Sequence, residues 1–211
     1  MLNQEKSLSI LGAFIAVFLL ASLTQLGIEN YSLNLMLIAS MGASTFLIFV
    51  TPHSPMAQPW PVIGGHLTSA FIGVACAHWI ASPALAAATA VALSITGMHL
   101  LKCLHPPSAA TAMIAVLGNT PTHTLNWQFC YEVVMINALI IAVLGILINR
   151  YVLRKRYPML HNHHQHHQEV TKVPTPKFPA LTEENFKWAI SQMDGMIDVT
   201  EEDLVDLYEF A

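Results

Sequence analysis

Between Lys6 and Arg150 only Glu29, Lys102 and Glu132 carry a charge, and the stretches between them are built mostly from aliphatic and small side chains. A water-soluble domain cannot cover its surface with so few charges, whereas a lipid-facing helix needs none and satisfies its own backbone groups. Apolar runs cover 8–27, 33–50, 62–81, 85–101 and 129–152. Each is close to the roughly 17 to 25 residues that a crossing helix requires. The first run is too long for the core of a signal peptide and lacks a convincing cleavage site, so it reads as a retained span. The class that follows is an all-α membrane protein.

A sixth apolar segment is interrupted at Leu104-His105-Pro106-Pro107-Ser108. Neither proline supplies an N–H, and Pro107 biases Pro106 away from the helical region, so the helix before it must stop. Proline suits a helix's first turn, and the small residues that follow predict a new helix from Pro106 to about Gly118. Its start lies inside the fold, where a helix N-terminus with unpaired N–H groups attracts anions. The segment is too short to cross alone. The linker Thr51–Pro61 holds Pro52, Pro55, Pro59 and Pro61 and cannot be one continuous helix.

Most remaining charge follows Arg150, which divides the chain into a membrane domain 1–156, a His- and Pro-rich linker 157–181 and an acidic, helical cytoplasmic tail 182–211. Arg150, Arg154, Lys155 and Arg156 place the end of the last span in the cytoplasm, and Lys6 puts the N-terminus on the same side. An even number of crossings results, either six with a short, proline-broken fifth or four plus two re-entrant segments. Six is preferred. The expected location is a bacterial inner (plasma) membrane with both termini cytoplasmic, and with a net charge of −4 no nucleic-acid partner is expected. Cys76, Cys103 and Cys130 lack metal or disulfide spacing and read as packing residues.

Setting 41–55 against 107–121 pairs Ala43 with Ala109, Thr45 with Thr111, Ile48 with Ile114, Val50 with Val116 and Pro55 with Pro121. A duplication of three spans would make the halves inverted, a 3+3 inverted repeat with the second and fifth segments around its centre. Ser44 and Thr45 would then face Ser108 and Thr111.

The combination Gly42-Ala43-Ser44, Pro52, Ser54-Pro55, Ala57-Gln58-Pro59-Trp60, Gly64-Gly65, Cys103-Leu104-His105-Pro106-Pro107 and Ala110-Thr111-Ala112 resembles the HPP family of integral membrane proteins. Over residues 10–150 the resemblance implies a multi-helix membrane protein with a transport function, and plastid members of the family are associated with movement of nitrite. The sequence departs from the family pattern at Ser108-Ala109, where glycines are common, and at His66, where asparagine is frequent.

Intramembrane His105 can pair with an anion, donate a hydrogen bond or pass a proton; the alternative is a helix-break residue bonded to a free carbonyl. Lys102 either draws an anion toward the helix start or snorkels to the interface. The hydroxyls of Ser44, Thr45, Ser108 and Thr111 suit a small oxyanion, or else let helices pack closely. Gln58 and Trp60 are second-rank candidates for lining a pathway, and His66, beside Gly64-Gly65, completes the set. His78, His99 and His123 are assigned to interfaces.

His161, His163, His164, His166 and His167 form a tract able to bind Zn²⁺, Ni²⁺ or Cu²⁺, or a plain polar linker. The acidic tail suits a protein partner or a neighbouring subunit of a homo-oligomer, not anionic lipid. Three functions are therefore expected to compete: a carrier or channel for a small inorganic anion, foremost nitrite; a divalent-metal transporter or sensor using the histidine tract; and a non-transporting scaffold. No resident cofactor and no enzymatic activity are expected, since the membrane portion carries no nucleophile–base pair. Truncation after Lys155 is expected to leave flux intact.

Overall fold

The computed structural model describes residues 4–31, 38–118 and 126–159. Among these the chain forms α1 Gln4–Tyr31, α2 Ser40–Val50, α3 Pro59–Trp79, α4 Pro83–Leu100 and α5 Ser108–Leu117, followed by α6 Phe129–Val152. Helices α3 and α4 each open on a proline, which forfeits no hydrogen bond in a first turn. The first and last turns of α6 are wound as π-helix around a regular α-helical centre. Four helices, α1, α3, α4 and α6, are long and apolar enough to cross a membrane. Their outward side chains, such as Phe14 and Phe18 on α1, are exposed to where lipid would lie.

The fifth segment is short as expected, with 10 residues. The second is short as well, which corrects the expectation of a full span over 33–50: its helix begins at Ser40 and has 11 residues. At 1.5 Å per residue the two helices measure about 15 and 17 Å, so each covers roughly half of a 30 Å hydrocarbon core.

Helix directions follow from contacts. Trp60 of α3 donates to the Leu101 carbonyl while Gly97 meets Thr68 and Ile72, so α4 is antiparallel to α3. Gly65 faces Ser108 and Gly73 faces Ala112 and Ala115, so α5 runs parallel to α3. Ile48 of α2 sits against Gly145, and Asn149 of α6 donates to its carbonyl at 3.1 Å. Gly12 near the start of α1 meets Phe49, Ile148 and Leu153. Successive helices therefore alternate in direction, and each of α1 to α3 runs opposite to its counterpart in α4 to α6, as a 3+3 inverted repeat would require. Helix α2 fills the half of the bundle nearer the linker of residues 51–58, and α5 fills the other half. Their first turns meet where the Ser40 and Thr111 hydroxyls bond at 2.8 Å.

Beyond α6 the chain remains tied to the bundle. Lys155 donates to Ser9 at 2.8 Å and to the Phe49 carbonyl at 3.3 Å. Buried Tyr157 donates to the Ala57 carbonyl at 2.7 Å, and the Met159 N–H to Gln58 Oε1 at 2.8 Å. Hydrogen bonding to the bundle thus continues past Arg156 as far as Met159. The histidine tract, the linker from residue 160 and the acidic tail lie outside the described residues.

Candidate functional site

The α4–α5 break is built by Lys102, whose backbone adopts the left-handed conformation at φ 51°. That turn lets the Cys103 N–H return to the Met98 carbonyl at 2.9 Å, closing α4 as a Schellman-type cap and sending the chain back into the bundle. The Lys102 side chain is exposed. Helix α5 then begins at Ser108 rather than Pro106. Its early N–H groups are not unpaired as expected: Ser108, Ala109 and Ala110 donate to the carbonyls of His105, Pro106 and Pro107 at 2.9, 3.1 and 3.2 Å. The expected bare helix terminus is replaced by side chains.

Those side chains form one buried chain. Nδ1 of His105 lies 2.7 Å from the Met56 carbonyl and its Nε2 lies 2.8 Å from Ser44 Oγ. Ser44 Oγ is also 2.8 Å from Nε2 of His66, and Nδ1 of His66 is 2.7 Å from Thr111 Oγ1. Ser40, which the sequence reading missed, completes it at Thr111. Ser40, Ser44, His66, His105 and Thr111 are each at most 2% exposed. The imidazole rings meet edge to face with centroids 5.1 Å apart.

Proton positions follow from what each group can do. A carbonyl only accepts, so His105 Nδ1 carries a proton, and in the neutral ring Nε2 accepts. Ser44 gives its single proton to that nitrogen and must then receive one from His66 Nε2. His66 Nδ1 in turn accepts from Thr111, whose oxygen accepts from Ser40. All five bonds point one way, from Ser40 to Met56.

Ser108 Oγ is buried beside this chain with no hydrogen-bond partner. It lies across from Gly65, where an added Cβ would fall 2.7 Å from Ser108 Oγ and 2.8 Å from His105 Cβ. A glycine is thus needed for α3 to approach the break. His66 is the eighth residue of α3, which puts the group about 10 Å along the helix from the linker end.

The other sequence candidates stand apart from this network. Thr45 turns its hydroxyl to the Met41 carbonyl of its own helix. Gln58 is buried but clasps the linker, donating to the Pro52 and Ser54 carbonyls at 3.0 and 2.9 Å. Trp60 is exposed and bonded to the Leu101 carbonyl. Ser40 lies four residues before Ser44, on the same helix face, and that spacing was the available signal for it. Met56 acts through its backbone and has none. Among the described residues no group of three or more His, Cys, Asp or Glu side chains is placed to hold a metal ion; the five tract histidines lie outside them.

Residues 3–158 match the family described as HPP, transmembrane region. Two transmembrane proteins of Dictyostelium discoideum are similar. One is 33% identical over 161 residues, covering 74% of this chain and 51% of its own length. The second is 37% identical over 127 residues, 58% of this chain and 44% of its own. The chain thus spans about half the length of these relatives. No solved structure matches it significantly. With the family pattern running over residues 3–158, from just before α1 to beyond α6, the chain belongs to the HPP transmembrane family.

Proposed function

We propose that the protein is a carrier or channel for a small inorganic anion, with nitrite the first candidate through the association of plastid family members. The observation that carries this reading is the buried chain of two imidazoles and three hydroxyls, set among apolar helices where two half-length helices meet. Polar groups at such depth are expensive to bury and mark transport pathways more often than scaffolds. Discontinuous helices converging on the centre of an inverted pair are a recurrent way of building a substrate site.

The chain is internally satisfied, so cargo must either displace one of its bonds or begin at a free donor. Ser108 supplies that donor, since its hydroxyl can bind an oxyanion without surrendering an existing partner. Several weak neutral donors also suit a site that must release what it binds. Lys102, near the linker end, can raise the local anion concentration without entering the site.

Uptake into proteoliposomes, with nitrite, nitrate, formate and divalent metals offered separately, tests the reading. Nitrite should enter faster than into protein-free vesicles. His105→Ala should reduce its flux, and Thr111→Val should raise the half-saturating concentration. Unchanged flux and affinity in both variants, at matched amounts of folded protein, would place the site elsewhere. Uptake of metals alone would favour a role for the histidine tract.

A further inference from the structure

The one-way direction of the buried chain has a consequence for protons. A proton reaching Ser40 allows Ser40 to pass its own to Thr111, Thr111 to pass one to His66 Nδ1, His66 to release its Nε2 proton to Ser44, and Ser44 to protonate His105 Nε2. Only O–H and N–H bonds form and break, and one proton has entered for one that arrives. His66 is left neutral as its other tautomer, and His105 becomes an imidazolium. Ser44 then donates to the bare His66 Nε2 while accepting from His105 Nε2.

Among the described residues that imidazolium is bonded to no acidic side chain. All four ring nitrogens of His66 and His105 are paired with hydroxyls or a carbonyl. Against His105, α3 presents His66 and α2 presents Ser44, while in the α4–α5 break the buried Cys103 thiol turns toward Thr68 and Lys102 is exposed. The linker presents the Met56 carbonyl. A cation in this low-dielectric place is strongly disfavoured unless an anion accompanies it. Ser108, unpartnered and adjacent to His105, is where such an anion gains a hydrogen bond.

From this geometry we infer that the protein moves one proton with each monovalent anion, the proton travelling along Ser40, Thr111, His66, Ser44 and His105. The anion lowers the cost of charging the relay, and the charged relay strengthens the hold that Ser108 offers the anion, so the two cross together and the cycle carries no net charge. The inference rests on the anion-transport reading and adds its coupling. Direction is set by the combined gradients.

The full chain, reconstituted in vesicles enclosing a pH-sensitive dye and clamped with potassium and valinomycin near neutral pH, provides the test. An inward nitrite gradient should acidify the lumen beyond the protein-free background, with about one proton per nitrite, and the rate should not follow the imposed voltage. Nitrite uptake without acidification, or a rate that follows the voltage, would overturn the coupling while leaving anion transport standing. No uptake of nitrite, nitrate or formate would remove the transport reading and the inference together. Ser44→Ala should lower proton and nitrite uptake together by at least about tenfold, with Ser44→Thr restoring both. A Ser44→Ala protein that keeps the wild-type rate and ratio would show that the relay does not pass through Ser44.

Discussion

At the level of single residues, the approach of α3 to the proline break depends on Gly65. A methyl there would fall 2.7 Å from Ser108 Oγ and 3.0 Å from the Cys103 carbonyl. Gly65→Ala should therefore lower stability by about 1 to 3 kcal/mol, read as a fall in the detergent-solubilised Tm. Gly42→Ala is the control, because nothing lies within 4 Å of its added methyl. It should be neutral or stabilising by up to about 1 kcal/mol, the helix-propensity gain over glycine. Equal losses in both would show that general helix sensitivity, not the contact, is being measured. His105 was legible because a titratable group beside two prolines in an apolar run has few structural explanations. Its partnership with Ser44 and His66 was not, since a hydrogen bond between residues 61 or 22 positions apart leaves no local trace.

At the level of elements, the prolines announced the break before α5, but residues 33–50 looked like one more full-length span. Apolar composition is the same for a helix that crosses and for one that meets a partner halfway, so length cannot be read from hydropathy alone. The pairing of 41–55 with 107–121 sets Ser44 and Thr45 against Ser108 and Thr111, whereas it is Ser40 that meets Thr111, Ser44 that meets the two imidazoles, and Thr45 that bonds within its own helix. The segment after α6 poses the opposite case. Polar composition suggests a linker, yet Tyr157 and Met159 hold Ala57 and Gln58, the two residues following Met56, whose carbonyl accepts the hydrogen bond of His105 Nδ1. Truncation after Lys155 should thus destabilise the linker and reduce flux, whereas truncation after Asn162 should retain both; identical flux from the two would detach this clasp from function. Burial raises the Tyr157 phenol above its ordinary value, so folding favours the protonated form. The resulting stabilisation is complete below about pH 10, the ordinary tyrosine value, and is lost as pH rises toward the raised folded value. Tyr157→Phe should therefore show a shallower alkaline fall in Tm than the wild type, and matching slopes would exclude the phenol as its source.

At the level of the whole molecule, the alternation of helix directions gathers the basic residues at one end. Lys155 reaches Ser9 in the opening turns of α1, which puts Lys6 at the same end of the bundle as Arg150, Arg154 and Arg156. Trp60 joins that end to Leu101, and so to Lys102. The opposite end, where α3 finishes at Trp79 and α4 starts at Pro83, carries no Lys or Arg in that connection. Basic flanks are retained on the cytoplasmic side during insertion, so the linker end should face the cytoplasm and Trp79 the other compartment. Single cysteines at exposed positions can report this, because Cys76, Cys103 and Cys130 are all buried and should react slowly. With a membrane-impermeant maleimide applied to intact cells, Trp79→Cys should label from outside, and Lys102→Cys only after lysis. The reverse pattern would invert the molecule and the compartment from which Met56 and His105 are approached. Labelling of both from one side would break the alternation itself, and with it the opposed arrangement of α2 and α5 on which the site depends.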